Sequence, residues 1–202
     1  MWLKMVYNIE SSIMAYIFES RERMVRFCVP PNSIIGEVGV FKGEFAKFLY
    51  SLNPQKLILF DLFQGVTASG DQDGNNVQYA NLDDEYKNLR NWSSTQQNIV
   101  LEKGDSSLLL FNYPNEYFDM IYLDGDHSYE GVKKDLEQAI LKVKKGGWIM
   151  GHDYEMNMVK AQNTYTFGVK QAVDEFCVKY NQKIIAKGND GCVSYGICIS
   201  NT

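Results

Sequence analysis

The chain has 202 residues, 45% of them hydrophobic and 22% charged, an ordinary globular composition with enough material for one sizeable core. A formal net charge of -5 leaves no global positive field for a phosphate backbone, which argues against general nucleic-acid binding. Cys28, Cys177, Cys192 and Cys198 form no CxxC pair, so neither a zinc site nor a disulfide framework is expected, and reduced thiols fit a cytoplasmic location.

In the first 25 or so residues, Ile9, Ile13, Ile17 and Met24 recur near helical spacing and predict an amphipathic helix. Such a helix can cover a neighbouring subunit as easily as its own sheet, which would make a homodimer. Charges interrupt its apolar positions and no small-residue cleavage site follows, so it does not read as a signal peptide. No stretch approaches the ~20 apolar residues of a membrane span. Pro30, Pro31 and Asn32 divide this N-terminal helical extension, 1–32, from a core domain, 33–202.

Strand and helix patterns then alternate. Apolar runs at 33–38, 56–61, 98–105, 118–126 and 147–154 predict buried strands. Segments 43–52, 83–92, 106–111, 129–147 and 168–180 predict helices, the fourth ending at Gly146 and Gly147 with lysines in its last turn. The runs at 182–188 and 193–200 have no helix between them and predict a hairpin. The fold class is therefore α/β, a Rossmann-like three-layer sandwich with a mostly parallel sheet whose last strand is antiparallel. Ligands of such sheets bind beyond the carboxyl ends of the strands. Residues 64–80, polar and glycine-bearing, predict a lid over that end.

The candidate site residues all fall at strand ends. EVGVFKGEF places Gly36, Gly39 and Gly43 in the first strand-to-helix turn, where glycine lets the backbone approach a ligand closely. Its spacing is not the G-x-G-x-x-G of dinucleotide binding, which speaks against a nicotinamide-dependent reductase. Asp61, eighteen residues after Gly43, is placed to accept ribose hydroxyls. Asp105, followed by Ser106 in KGDS, either faces an adenine or caps the helix that begins there. YLDGDHSYEG gathers Asp124, Asp126 and His127 within four positions, and GHDY brings His152 and Asp153 to the neighbouring strand end. Asp124 and Asp153 are the best pair for a hard cation such as Mg2+, with His152 or Asp126 as further contacts.

Taken in order, EVGVFKGEFA, FDLFQG, KGDS, DMIYLDGDHSYEGVKKDLEQAI, KKGGWIMGHDY and GVKQAVDEF resemble the class I S-adenosylmethionine-dependent methyltransferases over about residues 33–200. More narrowly, they resemble the branch containing the macrolide-sugar O-methyltransferases. The resemblance implies a seven-stranded sheet with the last strand antiparallel. It implies that Glu37, Gly39 and Gly43 cradle the methionine part of the cofactor and that Asp61 holds the ribose. Gly104, Asp105 and Ser106 would border the adenine. Asp124 and Asp153 match positions from which metal-dependent relatives bind Mg2+; those relatives often carry Asp-Asp or Asp-Asn where this chain has His152-Asp153.

The expected function is methyl transfer to a small-molecule acceptor, a sugar or other hydroxyl, with Mg2+ assistance. His127 is the expected general base, because its unperturbed pKa lies roughly at 6.5, and Asp124 or Asp126 is the fallback. A catechol-type or nitrogen acceptor is the alternative within the family. A non-catalytic adenosyl-binding or interaction domain is the alternative outside it.

Overall fold

The computed structural model describes residues 4–8, 13–64, 82–156 and 168–200. One sheet runs through them, built from β1 (Lys4–Asn8), β2 (Ile13–Phe18), β3 (Ile34–Val38), β4 (Lys56–Asp61), β5 (Ile99–Lys103), β6 (Phe118–Leu123), β7 (Val143–Met156), β8 (Ile184–Asn189) and β9 (Cys192–Cys198). The spatial order is β1-β2-β8-β9-β7-β6-β3-β4-β5. The helices are α1 (Arg21–Cys28), α2 (Glu44–Tyr50), α3 (Leu82–Ser94), α4 (Ser106–Phe111), α5 (Tyr129–Lys142) and α6 (Val169–Lys179).

β3 to β9 are the seven strands expected. β3, β4, β5, β6 and β7 pair in parallel, and β9 runs antiparallel to both β7 and β8. Continuous apolar runs make sense here because both faces of the sheet are covered. In β4, Leu57 and Leu59 pack in one layer with Met24, Phe45, Leu49 and Leu89. Ile58 and Phe60 pack in the other with Leu110, Leu136 and Phe176. Each fully buried side chain of this size contributes about 1.5–3 kcal/mol, so neither face can be left to solvent.

The N-terminal segment departs from expectation. In place of one helix over about 25 residues it forms the antiparallel pair β1–β2, and among its described residues helix is confined to α1. Ser20 starts that helix, its hydroxyl accepting from Arg23 N at 3.3 Å. A spacing of four, as between Ile13 and Ile17, is even, so it suits one face of a strand as readily as one face of a helix. What decides is a distant partner: β2 pairs in parallel with β8, from Tyr16↔Ala186 to Phe18↔Gly188.

Two smaller differences have similar causes. α5 ends at Lys142 rather than at the paired glycines, because Val143 already pairs with Phe118. Lys142 is buried, and its ammonium donates to the carbonyls of Phe111 and Tyr113 and to Asn115 Oδ1. Gly36 lies inside β3, where a Cβ would stand 3.1 Å from the Phe118 ring. Residues 65–80 of the expected lid lie outside the described residues. Among the described residues no helix is long and apolar enough to cross a membrane.

Candidate active site

The turn from β3 to α2 is pinned from two sides. Gly39 has φ +83°, and its N–H donates to the Phe60 carbonyl at 2.9 Å. A Cβ at Gly39 would lie 2.0 Å from the Asp124 carbonyl oxygen, so only glycine lets the β3 and β6 ends meet. Gly43, at φ +74°, precedes α2. Asp61 Oδ2 accepts from Val40 N at 2.7 Å and Phe41 N at 2.9 Å, and Oδ1 accepts from Phe63 N at 2.7 Å. Asp61 therefore shapes the turn. A carboxylate offers roughly four acceptor sites, which leaves capacity for a ribose hydroxyl. Phe41 and Phe63 take left-handed backbone, φ 49° and 48°, so strain gathers around this carboxylate.

Glu37 is only 1% exposed, and its Oε2 has no hydrogen-bond partner. Burial, with the nearby Asp124 charge adding to it, pushes its carboxyl well above the usual carboxylate range. A buried carboxyl with one oxygen unpartnered, beside a glycine turn, fits the ammonium of an amino-acid-bearing cofactor. By this criterion Glu37, Gly39 and Gly43 fit the methionine part of S-adenosylmethionine.

At the end of β5, Gly104 N donates to the Asp61 carbonyl at 2.9 Å. Asp105 caps α4, its Oδ1 accepting from the Ser107 hydroxyl at 2.6 Å and from the N–H groups of Ser107 and Leu108. The Ser107 hydroxyl bond and the two backbone bonds hold it below its ordinary value. Ser106 turns inward and donates to Asp135 Oδ1 at 2.6 Å. Asp135 was not among the expected site residues, although an acid on the same α5 face as Val132, Leu136 and Ala139 is visible in the sequence. Burial raises it from 3.8 to about 6. Between those values the folded chain holds a proton that the unfolded chain releases, so stability falls as pH rises through this window. The displacement corresponds to about 3 kcal/mol lost at pH 8. Asp135→Asn keeps the acceptor for Ser106 and removes the buried charge. Thermal unfolding is expected to show a higher midpoint than wild type at pH 8 and a nearly equal one at pH 4.

The mouth between β6 and β7 holds the titratable cluster. His127 Nε2 lies 3.4 Å from Asp124 Oδ1 and 3.2 Å from Asp153 Oδ2. Burial lowers its pKa, but the hydrogen bond to Asp124 and the charges of Asp153 and Asp124 outweigh that, and the net shift is upward. Asp126 is committed to the following helix, accepting from Ser128 N at 2.8 Å and from the Ser128 hydroxyl at 2.9 Å. A residue that sequence reasoning missed completes the cluster. Arg21, from α1, donates to Asp124 Oδ2 at 3.1 Å and lies 4.5 Å over the Phe45 ring. No local signal marks it, since 103 positions separate it from Asp124.

The expected Mg2+ set was Asp124, His152 and Asp153. The structure groups them differently: Asp124 and Asp153 converge with His127, while His152 and Asp153 converge with Cys192. His152 Nδ1 lies 2.9 Å from the Ser194 hydroxyl. Mg2+ demands oxygen donors in near-octahedral array. Here the two carboxylates are bridged by the His127 imidazole, the Arg21 guanidinium flanks Asp124, and both groups include softer donors. The residues do not fit Mg2+.

A family model described as a methyltransferase domain matches residues 37–154, a span that includes every candidate residue from Glu37 to Asp153. No curated protein matches the chain. Among solved structures the chain is similar to N-methyltransferase NodS from Bradyrhizobium japonicum WM9, at 11% identity over 90% of this chain and 95% of that one, with a TM-score of 0.60. It is similar to Aeropyrum pernix fibrillarin, solved with natively bound S-adenosyl-L-methionine, at 12% identity over 84% and 68% of the two chains, TM-score 0.58. It is also similar to an O-methyltransferase family protein from Burkholderia thailandensis, at 10% identity over 89% and 54%, TM-score 0.59. At such identities the likeness is one of fold.

Proposed function

Because the chain belongs to the S-adenosylmethionine-dependent methyltransferase family whose model spans residues 37–154, we propose that it methylates a hydroxyl oxygen of a small molecule, a sugar or other alcohol. The observation that carries this reading is His127, held between Asp124 and Asp153 at 3.4 Å and 3.2 Å beside the Gly39 turn. A hydroxyl is a poor acid, and an acceptor of this kind needs its proton removed as the new bond forms.

Bound S-adenosylmethionine supplies an activated methyl group on a sulfonium, so the leaving side needs no acid. Glu37 would bind the ammonium of its methionine part, and Asp61 a ribose hydroxyl. Gly104 and Asp105 would border the adenine. His127 accepts the hydroxyl proton, and the two carboxylates that face its Nε2 stabilise the imidazolium that results. Arg21 holds Asp124 in place through its 3.1 Å contact. Positioning then supplies much of the rate.

The cofactor half is tested by Glu37→Gln, which keeps shape and removes charge. Calorimetric titration is expected to show S-adenosylhomocysteine binding weakened about 10–100-fold, the range of a lost hydrogen bond to a charged group. Unchanged affinity would take Glu37 out of the cradle. The acceptor half is tested by assaying S-adenosylhomocysteine release on panels of sugars, catechols and amines, with the product identified by mass spectrometry. Methylation confined to amines would overturn the hydroxyl reading.

A further inference from the structure

We propose that His152, Asp153 and Cys192 form a binding site for one borderline divalent transition-metal ion of the Zn2+ kind. The proposal goes beyond the acceptor reading and does not depend on it. The three residues offer one nitrogen, one oxygen and one sulfur, all within 4.8 Å of one another. Tetrahedral bonds of about 2.0–2.3 Å put donors roughly 3.3–3.8 Å apart, so side-chain movement of about 1–1.5 Å closes the set. Three protein ligands leave a fourth position open, as in zinc sites that act on a bound ligand rather than only stabilise a fold.

The backbone is arranged for this. Between Gly151↔Tyr195 and Glu155↔Val193, three residues of β7 oppose the single residue Ser194 of β9. The bulge re-aims the side chains of a strand that would otherwise alternate across the sheet. Asp153 sits in it with left-handed backbone, φ 56°, a conformation that aspartate adopts more readily than most side chains.

The histidine is oriented from behind. Its Nδ1 meets the hydroxyl of Ser194 at 2.9 Å, and Ser194, fully buried, shares a 3.1 Å hydrogen bond with the Tyr122 hydroxyl. With the proton on Nδ1, the Nε2 lone pair is the one that would bind a metal, and Asp153 Oδ1 lies 3.9 Å from it. An outer hydrogen bond that sets the tautomer and ring angle is the usual support of a metal-binding imidazole. Asp153 can serve both neighbours, since Oδ2 faces His127. A thiolate and an imidazole select a softer ion over Mg2+. Cysteine spacing along the chain predicted no zinc site, because the fold brings Cys192 to a histidine forty positions earlier.

The test is titration of the reduced, metal-free protein with Co2+. The expected result is one equivalent bound, visible bands of tetrahedral cobalt and a near-ultraviolet thiolate-to-cobalt band. Zn2+ should displace it, and a roughly hundredfold excess of Mg2+ should not. Cys192→Ser should abolish the thiolate band and weaken binding more than about tenfold, as should His152→Ala for affinity. Cys198→Ser should leave the spectrum intact. Far-ultraviolet circular dichroism of each variant reports folding, and S-adenosylhomocysteine titration of the same samples reports the cofactor site separately. Absence of stoichiometric Co2+ binding by the unmutated protein, a thiolate band that survives in Cys192→Ser, or displacement by Mg2+ would each overturn the proposal.

Discussion

Gly39→Ala is expected to lower S-adenosylhomocysteine affinity by more than about a hundredfold and to lower the thermal midpoint, because two independent penalties meet there. Left-handed backbone at a residue with a Cβ costs roughly 1–2 kcal/mol. The Cβ would also stand 2.0 Å from the Asp124 carbonyl oxygen, 2.4 Å from its carbon and 2.6 Å from Gly125 Cα. All three are backbone atoms at the end of β6, and none can rotate away. The ends of β3 and β6 are tied together, since Asp124 N donates to the Val38 carbonyl at 2.8 Å. Relief must therefore come from moving the turn that carries the cofactor cradle. Gly146 and Gly191 provide the control. Both have positive φ, but a Cβ at either meets nothing within 4 Å. Alanine at those positions is expected to cost only the backbone part, roughly 1–2 kcal/mol of stability, and to leave cofactor affinity near wild type. Calorimetric titration of the three variants separates the effects. A Gly39→Ala protein that binds the ligand like wild type would show that the cradle lies elsewhere.

His127→Ala is expected to lower kcat by about 10²–10⁴-fold while S-adenosylhomocysteine affinity changes little. The imidazole stands at the mouth of β6 and β7, between Asp124 and Asp153. Its loss would remove the proposed proton acceptor and not a proposed contact to the methionine part. Single-turnover measurement with saturating acceptor reads the chemical step directly. Turnover equal to wild type would remove His127 from the mechanism. A parallel fall in affinity and rate would instead point to collapse of the Asp124–Arg21 pair. That alternative is checked on Arg21→Lys, which keeps a cation near Asp124 but not the planar fork.

Much of the scaffold was legible along the chain. KLILFD was read as a strand over 56–61, the bounds that β4 has, because an apolar run of that length is stable only when buried on both faces. SSLLLF likewise gave α4 its bounds, with Asp105 as the cap. The N-terminal segment is not legible in this way, since its pairing partner, β8, lies far along the chain. At the site, the acidic clusters and glycines were visible because each lies within a few residues of a strand end.

What the sequence by itself determined is the alternation of buried strands and helices, the family, and the gathering of candidate residues at the carboxyl edge of the sheet. The alternation and the gathering follow from periodicity and local spacing, and the family from the resemblance of its motifs, all of which a chain carries wherever it folds. Only the tertiary structure decided which groups meet: Arg21 with Asp124, Ser106 with Asp135, His127 between two carboxylates, and Cys192 with His152 and Asp153. Those pairings depend on strand order, on a bulge and on a left-handed aspartate, and angstrom distances between residues tens of positions apart exist only once the sheet has formed.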